Sequence, residues 1–195
     1  MTSVLWIETA SEHYRFRFRR GSLAEREIAT IRATQERCFE HICSVLAVTI
    51  TSPIQYVLCD SADDVAQQSG CDEPATGITR YPDTIYAEYS DRNRAIGMHE
   101  DAHIVAYNCL GLPTDTYLRE ALAMYFDGCW WGLPNRAWVQ HMIDHDSFVT
   151  PSILMDSFDD HDCSVSYPIA GFWAEMIVRP PLLSASRNCR PSTRR

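Results

Sequence analysis

Apolar and polar residues alternate from His13 to Arg19, where Tyr14, Phe16 and Phe18 interleave with Arg15, Arg17 and Arg19. A period of two predicts a strand with one apolar and one cationic face. The period then changes. Ser22 followed by Glu25 reads as a capping box, and Leu23, Ile28, Ile31, Phe39, Ile42 and Leu46 recur at helical spacing, predicting an amphipathic helix to about Val48. Pro53 leads into a second strand, Ile54 to Cys59. The run SADDVAQQSGCDEPATG is polar and turn-rich and reads as a loop with a short helix around Asp63 to Gln68. Ile85 to Tyr89 supplies the next strand.

Beyond Arg94 the spacing is helical. Ile96, Met98, Ala102, Ile104, Val105 and Leu110 form the apolar surface of one helix, closed by Gly111 as a left-handed cap and by Pro113. A second helix starts near Asp115 or Thr116 and runs through Tyr117, Leu118, Ala121, Leu122, Tyr125 and Phe126. The aromatic turn Cys129 to Leu133 follows, its Trp130 and Trp131 open to two readings, core closure or cleft wall. Pro134 opens a helix through Trp138, Met142 and Ile143, and Thr150 with Pro151 caps another carrying Ile153, Leu154 and Phe158. Ser166 to Val178 reads as the last helix. After Val178, Pro180 and Pro181 break the pattern, so 179–195 is expected to be an irregular tail, truncated or disordered. The expected class is α+β: a small, mostly antiparallel N-terminal sheet (about 1–93) packed against helices, and a helical part (about 94–178), together one domain, 1–178.

Composition narrows the function classes. A formal charge of −9 argues against nucleic-acid binding, because the basic residues, all of them arginine, concentrate only at Arg15 to Arg20 and in the last seventeen positions. No segment reaches the roughly 18 apolar residues of a membrane span, and the N-terminus lacks a basic region followed by a long apolar run, so a cytoplasmic protein is expected. The eight cysteines include no CxxC pair, and Cys38, Cys43 and Cys109 fall within helical patterns, where cysteine serves as a small buried hydrophobe; thiols are expected rather than disulfides.

The chemistry concentrates at His99, Glu100 and His103, an HExxH arrangement. Residues four apart on a helix are separated by roughly 40° and about 6 Å of rise, so the two imidazoles converge on one ion while Glu100 stands beside it as a base. A catalytic zinc takes three protein ligands and leaves a fourth position open. Glu120, on the following helix, is the obvious third ligand. His141 and His145 are also four apart, but no Glu follows His141, and Asp144, Asp146 and Ser147 mark a solvated helix end. The acidic run Asp156 to Asp162, with His161 inside it, reads as a solvated loop.

The pairing of HEDAH with YLREALAMYFDG, followed by SYPIAGFWAEMI, resembles the gluzincin metallopeptidases, the thermolysin-like clan, over roughly Tyr81 to Val178. The resemblance implies a zincin-like catalytic core with one Zn²⁺ per chain on His99, His103 and Glu120. Ala121 stands where many relatives have Gly, and Met124 where the clan's type member has an Asp four residues after the ligand Glu. Asp127, seven residues after Glu120 and about 20° off its face, is the candidate to orient an imidazole instead. The resemblance further implies that Tyr86, Ala87, Glu88 and Tyr89 form an edge strand on which a peptide pairs, and that a downstream Tyr or His donates to the oxyanion, with Tyr167 first and His161 second.

The expected function is therefore hydrolysis of peptide bonds, with Glu100 as general base toward the attacking water and a peptide or protein as substrate. Two other classes stay open: a catalytically silent module of the same scaffold that binds a peptide or protein, and a zinc hydrolase of non-peptide amides.

Overall fold

The computed structural model describes residues 5–178, and the expectation for 179–195 lies outside them. The chain folds as two compact units, one ending at Thr114 and one beginning at Asp115. The α+β class expected from the sequence holds.

The first unit is built on a five-stranded sheet in the order β1-β2-β3-β5-β4. Its strands are β1 (Trp6–Ala10), β2 (Tyr14–Arg19), β3 (Ile54–Cys59), β4 (Gly77–Arg80) and β5 (Thr84–Glu88). The sheet is mixed rather than mostly antiparallel: β2 with β3 and β3 with β5 are parallel, while β1 with β2 and β4 with β5 are antiparallel. The physical reason is the length of the connections. A parallel pairing needs a crossover, and helix α1 (Leu23–Leu46) between β2 and β3 supplies one.

The alternation read in β2 sorts the two faces. Tyr14, Phe16 and Phe18 are buried together with Ile54, Tyr56, Leu58, Ile85 and Ala87, and this face carries α1 and α3 (His99–Leu110). On the other face Val57, Cys59 and Val65 pack with Trp6, Ile78 and Tyr86 beneath the short helix α2 (Ala62–Ser69). Arg17 and Arg19 lie over the Trp6 ring at 4.4 and 4.8 Å, and Arg19 pairs with Asp64 and Asp60. Ser22 caps α1 as read, its Oγ accepting from the Glu25 N–H at 3.1 Å. The seven cysteines among the described residues are thiols.

The second unit is helical: α4 (Thr116–Asp127), a hairpin of β6 (Cys129–Trp130) and β7 (Leu133–Pro134), α5 (Asn135–Asp144), α6 (Pro151–Ser157), a 3-10 turn (Phe158–Asp160) and α7 (Cys163–Val178). Asp115 caps α4 at its start, and Gly128 at φ 66° ends it. Close approach of α4 and α7 depends on Gly171, where a Cβ would stand 2.8 Å from the Met124 Cβ and also strike Asn135. Buried Asn135 donates to the Met124 carbonyl at 3.0 Å. No helix among the described residues is long and apolar enough to cross a membrane.

Candidate metal centre

Helix α3 begins at His99 itself, so Ile96 and Met98 precede it and Leu110 is exposed at its end. Its buried residues are Asp101, Ala102, Ile104 and Val105. This pattern turns His99, Glu100 and His103 away from the core that holds Asp101. Gly111 ends the helix at φ 83°, but with ψ 176° rather than the left-handed cap expected. The two imidazoles stand edge to face, ring centroids 5.0 Å apart.

His99, His103 and Glu120 offer one ligand atom each, and all these atoms lie within 4.8 Å of one another. Ligands at about 2.0–2.2 Å from one first-row divalent ion stand at most about 4 Å apart, so side-chain adjustments of about an ångström bring all three onto one ion. The three residues are able to hold a metal ion. An imidazole pair with one carboxylate fits such an ion chemically, leaving room for further ligands. Among the described residues no other group of three His, Cys, Asp or Glu has this arrangement.

Behind the histidines lies a buried polar cluster that the sequence reading missed. Asp101 Oδ2 accepts from the Tyr14 hydroxyl at 2.8 Å and from Gln35 Nε2 at 2.7 Å, and all three residues are fully buried. Gln35 also donates to the Gly97 carbonyl at 3.1 Å, just before α3. Burial pushes the Asp101 carboxyl well above the usual carboxylate range, against the hydrogen bond from Tyr14. Burial, with Asp101 beside it, likewise pushes the Tyr14 phenol up. The only local signal was an acidic residue on the side of the HExxH helix opposite the histidines.

Glu100 is held from β4. Thr79 Oγ1 donates to Glu100 Oε2 at 2.6 Å, and a Cβ on Gly77 would stand 2.5 Å from Glu100 Oε1. Neither residue was singled out from the sequence, because a four-residue strand with one strongly apolar position carries too little periodicity.

The strand expected at the sheet edge is interior. β5 lies between β3 and β4, so the ladder groups of Tyr86, Ala87 and Glu88 are taken by neighbours, and the Tyr89 N–H donates to the Cys59 carbonyl at 2.7 Å. The edge on this side is β4, joined to β5 through Tyr81 to Asp83, in the stretch between the loop read to Gly77 and the strand read from Ile85. Tyr86 and Glu88 face α2, while Ala87 and Tyr89 face the helices α1 and α3; Tyr89 donates to Glu27 of α1 at 2.6 Å.

In the second unit, Met124 is fully buried beneath Gly171, so the position that carries an Asp in the resembled clan serves packing here. Asp127 is the last residue of α4. Tyr167 stacks on Trp130, ring centroids 5.0 Å apart, and lies 5.3 Å from Phe158. Trp131 is exposed. His161 Nε2 stands 3.2 Å from the Ser157 hydroxyl. His141 and His145 are exposed, with His145 Nδ1 2.8 Å from the His141 carbonyl. Asp162 accepts from the Ser164 hydroxyl and N–H, which hold its carboxyl below the usual range.

Compared with known proteins, the chain matches no family model, no curated protein and no solved structure.

Proposed function

We propose that the protein is a zinc-dependent metallopeptidase whose general base is Glu100. The observation that carries this reading is the gathering of two imidazoles and one carboxylate within 4.8 Å, with a second carboxylate, Glu100, directly after His99 in the chain. Zinc on His99, His103 and Glu120 would supply Lewis acidity toward the scissile carbonyl and acidify water. Glu100 takes the proton of the attacking water and returns it to the departing amine, so one carboxylate serves as base and then as acid.

The substrate lies along β4. In the β4–β5 ladder Glu88 N–H donates to the Thr76 carbonyl at 2.8 Å, and the register runs Gly77 with Ala87, Ile78 with Tyr86, Thr79 with Ile85. Hydrogen-bonded and non-hydrogen-bonded pairs alternate, so the N–H and C=O of Gly77 and Thr79 point away from β5, where no strand of the sheet pairs with them. An extended peptide adds there by main-chain hydrogen bonds.

Purified protein is expected to bind about one zinc per chain and to cleave unstructured polypeptide. Glu100→Gln keeps the zinc and loses cleavage by at least about 10²-fold. Undiminished cleavage by Glu100→Gln refutes the mechanism; zinc binding without turnover of any peptide or amide favours a silent binding module.

A further inference from the structure

Glu100 has to present one carboxylate in one orientation, and a glutamate side chain on a helix has several rotamers to choose from. β4 removes that choice. Gly77 and Thr79 are two apart on a strand, so both Cα–side-chain directions face α3, where Ile78 faces the opposite layer. Oε2 of Glu100 accepts the Thr79 hydroxyl at 2.6 Å. Oε1 lies over Gly77, 2.5 Å from the point a Cβ would occupy, with Cδ and Cγ of Glu100 3.1 and 3.2 Å from it. One oxygen is tethered and the other fills a space that any larger residue would take.

We infer that Gly77 and Thr79 form a seat for the Glu100 carboxylate, in which the Thr79 hydroxyl is a positioning group and the missing side chain of Gly77 is the space that lets the carboxylate settle. The inference rests on the proposed hydrolase reading for its catalytic consequence, although the seat itself does not depend on turnover. Because both residues also offer their outward main chain to a peptide along β4, the strand that would dock the substrate is the strand that aims the base.

Two readouts test it. In protein labelled with ¹³C at glutamate carboxyls, the Glu100 resonance is assigned by its loss in Glu100→Gln. It is expected to move in Thr79→Val, which deletes the hydroxyl, and to return in Thr79→Ser, which keeps it. It moves also in Gly77→Ala, where the group in the way is the end of a flexible side chain and the fold is expected to survive. With labelled casein as the probe, Thr79→Val and Gly77→Ala lower kcat by about 10- to 100-fold with KM and zinc content near wild type, since a misplacement of about an ångström costs that much. Thr79→Ser rescues kcat. A Glu100 resonance unmoved in Thr79→Val overturns the inference, as does wild-type kcat in that variant. A moved resonance in a protein that cleaves nothing supports the seat and removes the hydrolase reading, so the two failures are distinct.

Discussion

Helices α3 and α4, which carry the candidate ligands, are held in opposite ways. α3 is fixed by a directional contact, the buried Asp101 carboxylate between Tyr14 and Gln35. α4 is fixed by volume: Ala121, Ala123 and Met124 are buried, Gly171 of α7 admits close approach, and Tyr117 sits edge-on to Trp173 and Phe158. The difference teaches that a ligand pair on one helix and a lone ligand on another can be placed by different physics. Hydrogen bonds fix angle, whereas packing fixes distance.

The sharpest way to break this contrast is Asp101→Ala, which removes the acceptor shared by the Tyr14 hydroxyl and the Gln35 amide and leaves them only their longer bonds to the Gln35 and Gly97 carbonyls. A loss of about 3–4 kcal/mol in urea unfolding is expected, with Asp101→Asn much milder because an acceptor oxygen remains. If Asp101→Ala costs under about 1 kcal/mol, the cluster does not hold α3.

The next effect addresses both helices together. Zinc at about a hundred times its Kd is expected to raise stability by about 2.7 kcal/mol, and chelator to reverse the gain. His103→Ala on α3 and Glu120→Ala on α4 should each abolish most of the increment in a thermal-shift assay. Retention of the increment in Glu120→Ala would show that α4 contributes no ligand.

Gly171→Val probes the packing side. Its side chain meets Met124 and Asn135, and overpacking of this kind costs about 1–3 kcal/mol. Met124→Ala keeps the Cβ that faces Gly171, so combining it with Gly171→Val should recover little of the loss, measured by the same urea midpoints.

Glu36 gives the smallest effect, on the α3 side through α1. His13 Nδ1 stands 2.6 Å from Glu36 Oε2, and the His13 N–H donates to Oε1 at 3.0 Å. Burial works against the Glu36 charge, but hydrogen bonds from His13 and Ser11, with the His13 charge, together outweigh it and hold its carboxyl below the usual 4.5. A depressed folded value contributes stability above the unfolded value, lost as pH falls through the folded one. Unfolding midpoints of wild type are therefore expected to drop below about pH 4.5, and Glu36→Gln to drop less over that range, by under about 1 kcal/mol.

Long or chemically constrained features were legible in the sequence. The α1 helix announced itself by a capping residue and an apolar stripe, and His99 and His103 by a spacing that helix geometry turns into convergence. Features set by distant partners were not. β4 is four residues long with one strongly apolar position, too little for a period to stand out, and the parallel pairing of β3 with β2 and β5 depends on which strands meet in space. Thr79 lies 21 residues from the carboxylate it tethers, so nothing beside it in the chain names its target. Asp101 shares its side of the helix with Ile104 and Val105, but an acidic residue inside the motif does not by itself name the buried partners Tyr14 and Gln35 that hold it. β5 was expected at an edge because the resemblance implied it; the strand that covers it, β4, went unread.

One consequence of the Asp101 cluster concerns rotation. A helix turns about its axis as a rigid body, so locking one azimuth locks every other. Greasy contacts alone would tolerate a roll of several degrees with little loss, and a roll sweeps an imidazole tip, far from the axis, through a larger arc than the backbone beneath it. By clamping residue 101 on the far side, Tyr14 and Gln35 set the phase of the whole HExxH turn, and the histidines inherit their aim from two residues that never approach them through the chain.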